Sequence, residues 1–255
     1  MDGWTDAALA DSLRAVRDRM AAASSRAGRA PSEASLIAVT KTVPAERLVA
    51  AAALGLTTFG ENRVQEARGK RERLTQLAEG DARLADLLTG VRWELIGHLQ
   101  TNKAARALDL FARVQSVDSL RLAEALSARA VALGQTLPVL LEVNIGAEAT
   151  KSGFAPDGAD LIAAARSVVA LPGLRAEGLM CVAPITERAE QARPYFRALR
   201  DLRDQVRAAA PQGASGGWHE LSMGMTDDFE VAIEEGATSV RIGRGLFGAR
   251  PTPNV

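Results

Sequence analysis

Short apolar runs separated by helix-length stretches set the rhythm of this chain. Leu36-Ile37-Ala38-Val39 is the first, followed by Thr40-Lys41 and, three residues later, Pro44. A continuous apolar run of this length predicts a strand buried on both faces, here over 35–40. Pro44 can open the next helix, where its missing N–H removes nothing the helix uses. The same alternation continues to the end. Strands are expected at 56–60, 92–97, 110–116, 138–144, 174–180, 220–222 and 239–243. Helices are expected at 44–54, 61–79, from 101, at 118–133, 156–169, 187–210 and 227–236, with Asp118 as a cap. Ahead of them Leu9, Leu13, Val16 and Met20 recur at helical spacing, predicting a leading helix over about 5–27 capped by Thr5 or Asp6. A Gly/Ser-rich loop covers 211–217, and Pro251 and Pro253 mark a non-helical tail.

Eight strands alternating with helices after one leading helix predict a (β/α)₈ TIM barrel with an extra N-terminal helix. An open doubly wound sheet is the alternative, because periodicity does not reveal closure. No stretch reads as an interdomain linker, so 1–255 is expected to be one domain, with the leading helix in 1–30 and the barrel in 35–248.

Composition narrows the class. Thirty-one acidic and 31 basic residues give a formal net charge of zero, which excludes a strongly basic nucleic-acid surface. One cysteine, Cys181, excludes an internal disulfide and suits a reducing compartment. The first residues are acidic, and no apolar run is long enough to span a bilayer. A cytoplasmic soluble protein with no membrane or nucleic-acid partner is the expectation, and a monomer is the expected state.

The chemistry gathers at one end. In a barrel it belongs at the carboxyl ends of the strands. Lys41, Glu61-Asn62, His98, Ser116, Asn144, Ser222 and Gly243-Arg244 all fall there, whereas the amino ends read as carrying little comparable. The chain has four lysines against 27 arginines, so a lysine at a buried strand end is a chemical choice: an amine can be neutral and attack a carbonyl. Barrels commonly cradle phosphate in the loops after strands seven and eight. Those loops read Leu221-Ser222-Met223-Gly224-Met225-Thr226 and Ile242-Gly243-Arg244-Gly245, with glycines that let backbone approach an anion. Arg241 shares a face with Gly243 and, pointing inward, needs an acceptor. The two histidines, His98 and His219, have no Glu or Cys at metal-ligand spacing, and Cys181 reads as a buried filler. An amine facing a phosphate cradle suggests a phosphorylated carbonyl ligand held as a Schiff base. Pyridoxal 5′-phosphate fits, and so does the sugar phosphate of a Schiff-base aldolase.

Several stretches resemble the pyridoxal phosphate homeostasis proteins. They include Phe59-Gly60-Glu61-Asn62-Arg63-Val64-Gln65-Glu66, Gly97-His98-Leu99-Gln100-Thr101-Asn102-Lys103, Val143-Asn144-Ile145 with Lys151-Ser152-Gly153, and Leu221-Ser222-Met223-Gly224-Met225-Thr226-Asp227-Asp228. Matches run in order from about residue 35 to 248. The resemblance implies a barrel like the N-terminal domain of alanine racemase, with pyridoxal phosphate as an internal aldimine on Lys41. It implies Arg241 at the pyridine nitrogen, Ser222, Gly224, Gly243 and Arg244 at the phosphate, and Asn62 and Asn144 at the mouth. Arg244 stands where many family members carry threonine, which keeps a backbone amide and removes a hydroxyl.

An arginine at the ring nitrogen makes the cofactor a poor electron sink. Racemases of this fold add a tyrosine from a C-terminal β domain. Here the chain ends at Val255, and its one tyrosine, Tyr195, falls in the helix after strand six. The expectation is therefore a carrier or buffer of the cofactor, without turnover, that passes it to apo-enzymes. Lys151 would be a second amine in transit. A weak amino-acid racemase is the enzymatic alternative.

Overall fold

The computed structural model describes residues 6–209 and 217–249. Eight parallel strands follow one another around a closed barrel: β1 (Ser35–Val39), β2 (Thr58–Glu61), β3 (Arg92–Leu95), β4 (Arg113–Val117), β5 (Leu137–Glu142), β6 (Leu174–Met180), β7 (Glu220–Ser222) and β8 (Ser239–Ile242). Closure comes where β8 pairs with β1, setting Ile37 opposite Arg241 and Ala38 opposite Ile242. The open sheet is thereby excluded. The sixth and seventh strands fall where the pattern places them. The second and fourth begin two or three residues later than expected, and that shift brings Glu61 into β2.

Helices pack around the sheet: α1 (Ala7–Arg26), α2 (Ala45–Ala53), α3 (Val64–Ala78), α4 (Ala82–Thr89), α5 (Ala104–Leu108), α6 (Leu120–Ala132), α7 (Gly158–Val169), α8 (Arg193–Ala209), α9 (Phe229–Glu234) and α10 (Arg244–Phe247). Asp6 caps α1 by accepting from Leu9 N–H at 3.0 Å. Leu9, Leu13, Val16 and Met20 are buried, as their spacing requires, and α1 lies against α9 and α10. Most of the apolar core sits between sheet and helices, and includes an edge-to-face pair of Phe59 and Trp93 at 5.5 Å.

Several local expectations change. The helix expected to end near Glu79 is followed by α4, capped by Asp81, and a short α10 follows β8. Pro44 is the N-cap of α2 and lies just outside the helix. Ser119, not Asp118, caps α6, because its hydroxyl accepts from Leu122 N–H. Asp118 instead accepts from Ser119 Oγ and pairs with His98. The segment 187–210 opens with a 3₁₀ turn at Ala189–Ala192 before α8 begins. Thr5, 210–216, Pro251 and Pro253 lie outside the described residues.

The amino end of the barrel is the larger correction. Arg113, at the start of β4, reaches Glu177 at 2.6 Å, Glu220 at 3.8 Å and Glu94 at 4.0 Å. Arg92 and Arg175 join Glu94 and Glu177 from the rim. When both faces of a strand are buried, sequence alternation does not show which side chains line the barrel axis. These charges therefore read as rim residues until closure brings them together.

Candidate functional site

The first candidate residue sits on a turn rather than on a strand. β1 stops at Val39, and Val43 N–H returns to the Thr40 carbonyl at 2.9 Å. Lys41 is therefore inside a tight turn, followed by Thr42 at φ +64°, a left-handed conformation unusual for a β-branched residue. A cavity of about 610 Å³ opens here, lined by Lys41, Thr42, Val43, Arg47, Gly243 and Arg244 among others. Arg47 is fixed at its edge by Asp6 Oδ2 at 2.9 Å and the Phe247 carbonyl at 3.0 Å. Three sequence candidates, Lys41, Gly243 and Arg244, thus face one space.

The loop after β8 brings Gly243 and Arg244 to this cavity and is tied to the loop after β7, none of whose residues lines it. Thr226 Oγ1 accepts from Gly245 N–H at 3.2 Å, and the Arg244 guanidinium pairs with Asp227. That pairing occupies the Arg244 side chain. Gly224 has φ +89°, and a Cβ there would stand 2.5 Å from Ala232 Cβ, so only glycine fits the turn. Its carbonyl accepts from Arg241 N–H at 3.0 Å. Gly243 lies beside Val39, whose backbone and side chain would meet a Cβ at 3.4 Å, an ordinary contact.

Arg241 is almost fully buried inside the barrel. Its acceptors are Ser222 Oγ at 2.6 Å and the Cys181 carbonyl at 2.7 Å. Ser222 Oγ in turn donates to Gln115 Oε1 at 2.6 Å, and Gln115 Nε2 donates to Glu94. Ser222 is wholly buried, and its hydroxyl is committed to this interior chain. The resemblance implies Ser222 at the phosphate; here its hydroxyl bonds Arg241 and Gln115. Burial lowers the guanidinium pKa, and Glu142 and Asp228 counter that. Burial also pushes the Cys181 thiol up to about 12, so it is not a nucleophile.

Asn62 and Asn144 occupy two other strand exits. Gly97 packs so closely on Asn62 that a Cβ would meet its backbone at 2.7 Å. Asn144 turns its amide onto its own loop, donating to the Glu148 carbonyl at 2.8 Å and accepting from Glu148 N–H at 3.2 Å. It shapes the loop that carries Lys151, which is itself paired with Glu148. Tyr195 lies on α8 packed against the core. Among the described residues no group of three or more His, Cys, Asp or Glu side chains is placed to hold a metal.

Glu142, at the end of β5, was missed. Burial and the nearby Asp118 raise its carboxyl to about 7, with Arg241, His98 and Lys151 opposing. Its Oε2 is buried without a hydrogen-bond partner among the described residues. The sequence signal was present: a lone charge ends the most apolar strand of the chain.

Comparison with known proteins bears on this geometry. The alanine racemase N-terminal domain family matches residues 12–251. A relative from Pseudomonas aeruginosa, named pyridoxal phosphate homeostasis protein, is 44% identical over 95% of this chain and 96% of its own length. Relatives of the same name from Aquifex aeolicus and Escherichia coli are 40% and 39% identical, over 93% and 95% of this chain and 96% and 97% of theirs. This chain belongs to the pyridoxal phosphate homeostasis protein family. A solved family member, PipY of Synechococcus elongatus with pyridoxal phosphate bound, superposes with a TM-score of 0.77 at 34% identity. It covers 94% of this chain and 100% of PipY. Alanine racemase from Clostridium difficile shares the fold alone, at 15% identity and a TM-score of 0.64, over 96% of this chain and 58% of the racemase.

Proposed function

We propose that this protein binds pyridoxal 5′-phosphate through Lys41 and acts as a carrier or buffer of the cofactor, without catalytic turnover. The observation that carries this reading is the single cavity shared by Lys41, Gly243 and Arg244. The cofactor brings an aldehyde that an amine can capture reversibly and a phosphate that needs backbone donors. Lys41 Nζ would add to the aldehyde carbon, forming C=N with one water leaving. The loops that carry Gly224 and Gly243 are joined through Thr226 and Gly245, and the bare main chain of Gly243 at the cavity suits close approach of an anion. Arg244 would contribute its amide, since its guanidinium is held by Asp227.

Arg241 would meet the ring nitrogen. Two of its five N–H donors are used by Ser222 and Cys181, which lock the guanidinium plane and leave others available. A permanently charged donor leaves the ring nitrogen unprotonated, and the cofactor then stabilises a carbanion poorly. This supports holding over turnover. Solvent-side chemistry would fall to Lys151 as a second amine and to a recipient apo-enzyme, with the protein acting as a cytoplasmic monomer.

The test is a spectrum. Protein incubated with pyridoxal phosphate should show a visible absorbance band that borohydride reduction moves and fixes on the Lys41 peptide. Lys41→Ala should lose it. A band of equal strength in Lys41→Ala would overturn the assignment. Release of D-isomers from single L-amino acids by the loaded protein would favour a racemase instead, and unchanged transfer to an apo-enzyme by Lys151→Ala would remove Lys151 from the path.

A further inference from the structure

Behind the Lys41 turn, between the sheet and α3, lies a compact group of buried charge. Lys70, on α3, has a side chain only 10% exposed. Its Nζ donates to three acceptors: the Thr40 carbonyl at 2.6 Å, Glu61 Oε1 at 2.7 Å and Glu66 Oε1 at 2.6 Å. Those three bonds use every donor an ammonium has. Glu66 Oε1 also accepts from Thr42 N–H at 2.5 Å, and Glu61 Oε1 also accepts from Thr40 Oγ1 at 2.6 Å. Burial raises the Glu61 carboxyl against the pull of Lys70 and Thr40. At Glu66 burial is outweighed by Lys70 and Thr42, which hold that carboxyl below its usual range.

Two of these bonds end on main chain, at chosen places. The Thr40 carbonyl belongs to the peptide unit before Lys41, and the Thr42 N–H to the unit after it. Both planes that set the direction of the Lys41 side chain are therefore pinned by one cluster. The second pin falls on Thr42, whose left-handed backbone persists only where its surroundings impose it. A cluster serving stability alone has no need of this arrangement, because well-packed apolar residues commonly do that work as well as a buried ion group.

The geometry points to Lys70, Glu61 and Glu66 as a positioning device for Lys41: by clamping both flanking peptide units and the left-handed turn at Thr42, they aim the amine into the cavity. This rests on Lys41 being the capturing amine of the proposed function.

Glu66→Ala is the cleaner perturbation, since Glu66 is partly exposed and its removal leaves the Lys70–Glu61 pair in place. Two readouts separate the clamp from the proposed function. In the cofactor-free protein, exchange of the Thr42 amide proton is followed by NMR. With pyridoxal phosphate added, the rate at which the absorbance band forms is followed. Glu66→Ala is expected to lose at least tenfold in Thr42 protection and at least fivefold in capture rate, with Glu66→Gln, which keeps an acceptor, restoring most of both. Thr42→Gly combined with Glu66→Ala should recover part of the rate, because glycine adopts the left-handed turn without strain. Wild-type capture rate and affinity in Glu66→Ala would overturn the clamp, as would a loss that the urea midpoint fully accounts for or that Glu66→Gln does not repair. No band in the wild-type protein would instead overturn the proposed function, and Thr42 protection would then decide the clamp alone.

Discussion

Two buried groups of charge, one at each end of the barrel, use similar residues differently. At the amino end Arg113 meets Glu177, Glu220 and Glu94 through side chains alone, joining β3, β4, β6 and β7 across the axis. At the carboxyl end Lys70 and its two glutamates finish on the backbone of a single turn. A cluster made of side chains fills and neutralises a space. A cluster that ends on main chain dictates a conformation. The first should therefore be felt in stability and the second in what the turn does.

The largest effect expected is on the floor. Arg113→Ala removes the buried cation from Glu177 and leaves it only the half-exposed Arg175, which should cost about 3 kcal/mol of stability in urea unfolding. Affinity for pyridoxal phosphate in the folded fraction should change less than threefold. A fivefold loss of capture rate, as expected of Glu66→Ala, would erase the distinction between the two ends.

Glu142 sharpens the contrast, because it is a buried carboxyl outside both clusters. Its folded value of about 7 lies above the ordinary 4.5. The native state then keeps a proton that the unfolded chain releases, so this group's contribution to stability is fully present below about pH 4.5 and is lost as pH rises through about 7. Glu142→Gln should remove that decline. Relative to wild type it should gain about 2 kcal/mol more at pH 8 than at pH 5, measured as unfolding free energy in urea. An equal gain at both pH values would mean that Glu142 titrates normally despite Asp118, Arg241, His98 and Lys151 around it.

The smallest effect belongs to a pair of the same chemistry on the surface. Arg68 and Glu72 lie one turn apart on α3, at 2.7 Å and largely exposed. Arg68→Ala should leave the urea midpoint indistinguishable from wild type. A measurable loss would show that charge pairing on α3, rather than burial, carries the energetics assigned to Lys70.

Much of this was legible along the chain. The apolar runs marked the strands because their residues are buried whichever way they face, so a one-residue error in register does no harm. Lys41 stood out by scarcity and by its place after such a run, and Gly224 and Gly243 by the turns they permit. The hydrogen-bond partners of Ser222 and Asn144 were not legible. A hydroxyl at a strand exit looks available, and only closure shows that Arg241 and Gln115 arrive from β8 and β4 to use it. Asn144 likewise bonds within its own loop, a choice that depends on how residues 145–151 fold back.

The amino-acid sequence by itself determined the alternation of strand and helix, the family, and the residue types at the carboxyl rim. These rest on local pattern: burial period, caps and glycine turns. Only the tertiary structure decided which charges meet. Glu61 and Lys70 are nine residues apart and Arg113 and Glu220 more than a hundred, and nothing in their spacing foretells either pairing. The second follows from barrel closure and the first from the packing of α3 beside β2 and the Thr40 turn, where a buried charge must find a partner or neutralise. Lys41 is conspicuous in the sequence, but the direction of its amine is set by groups that the fold brings to it.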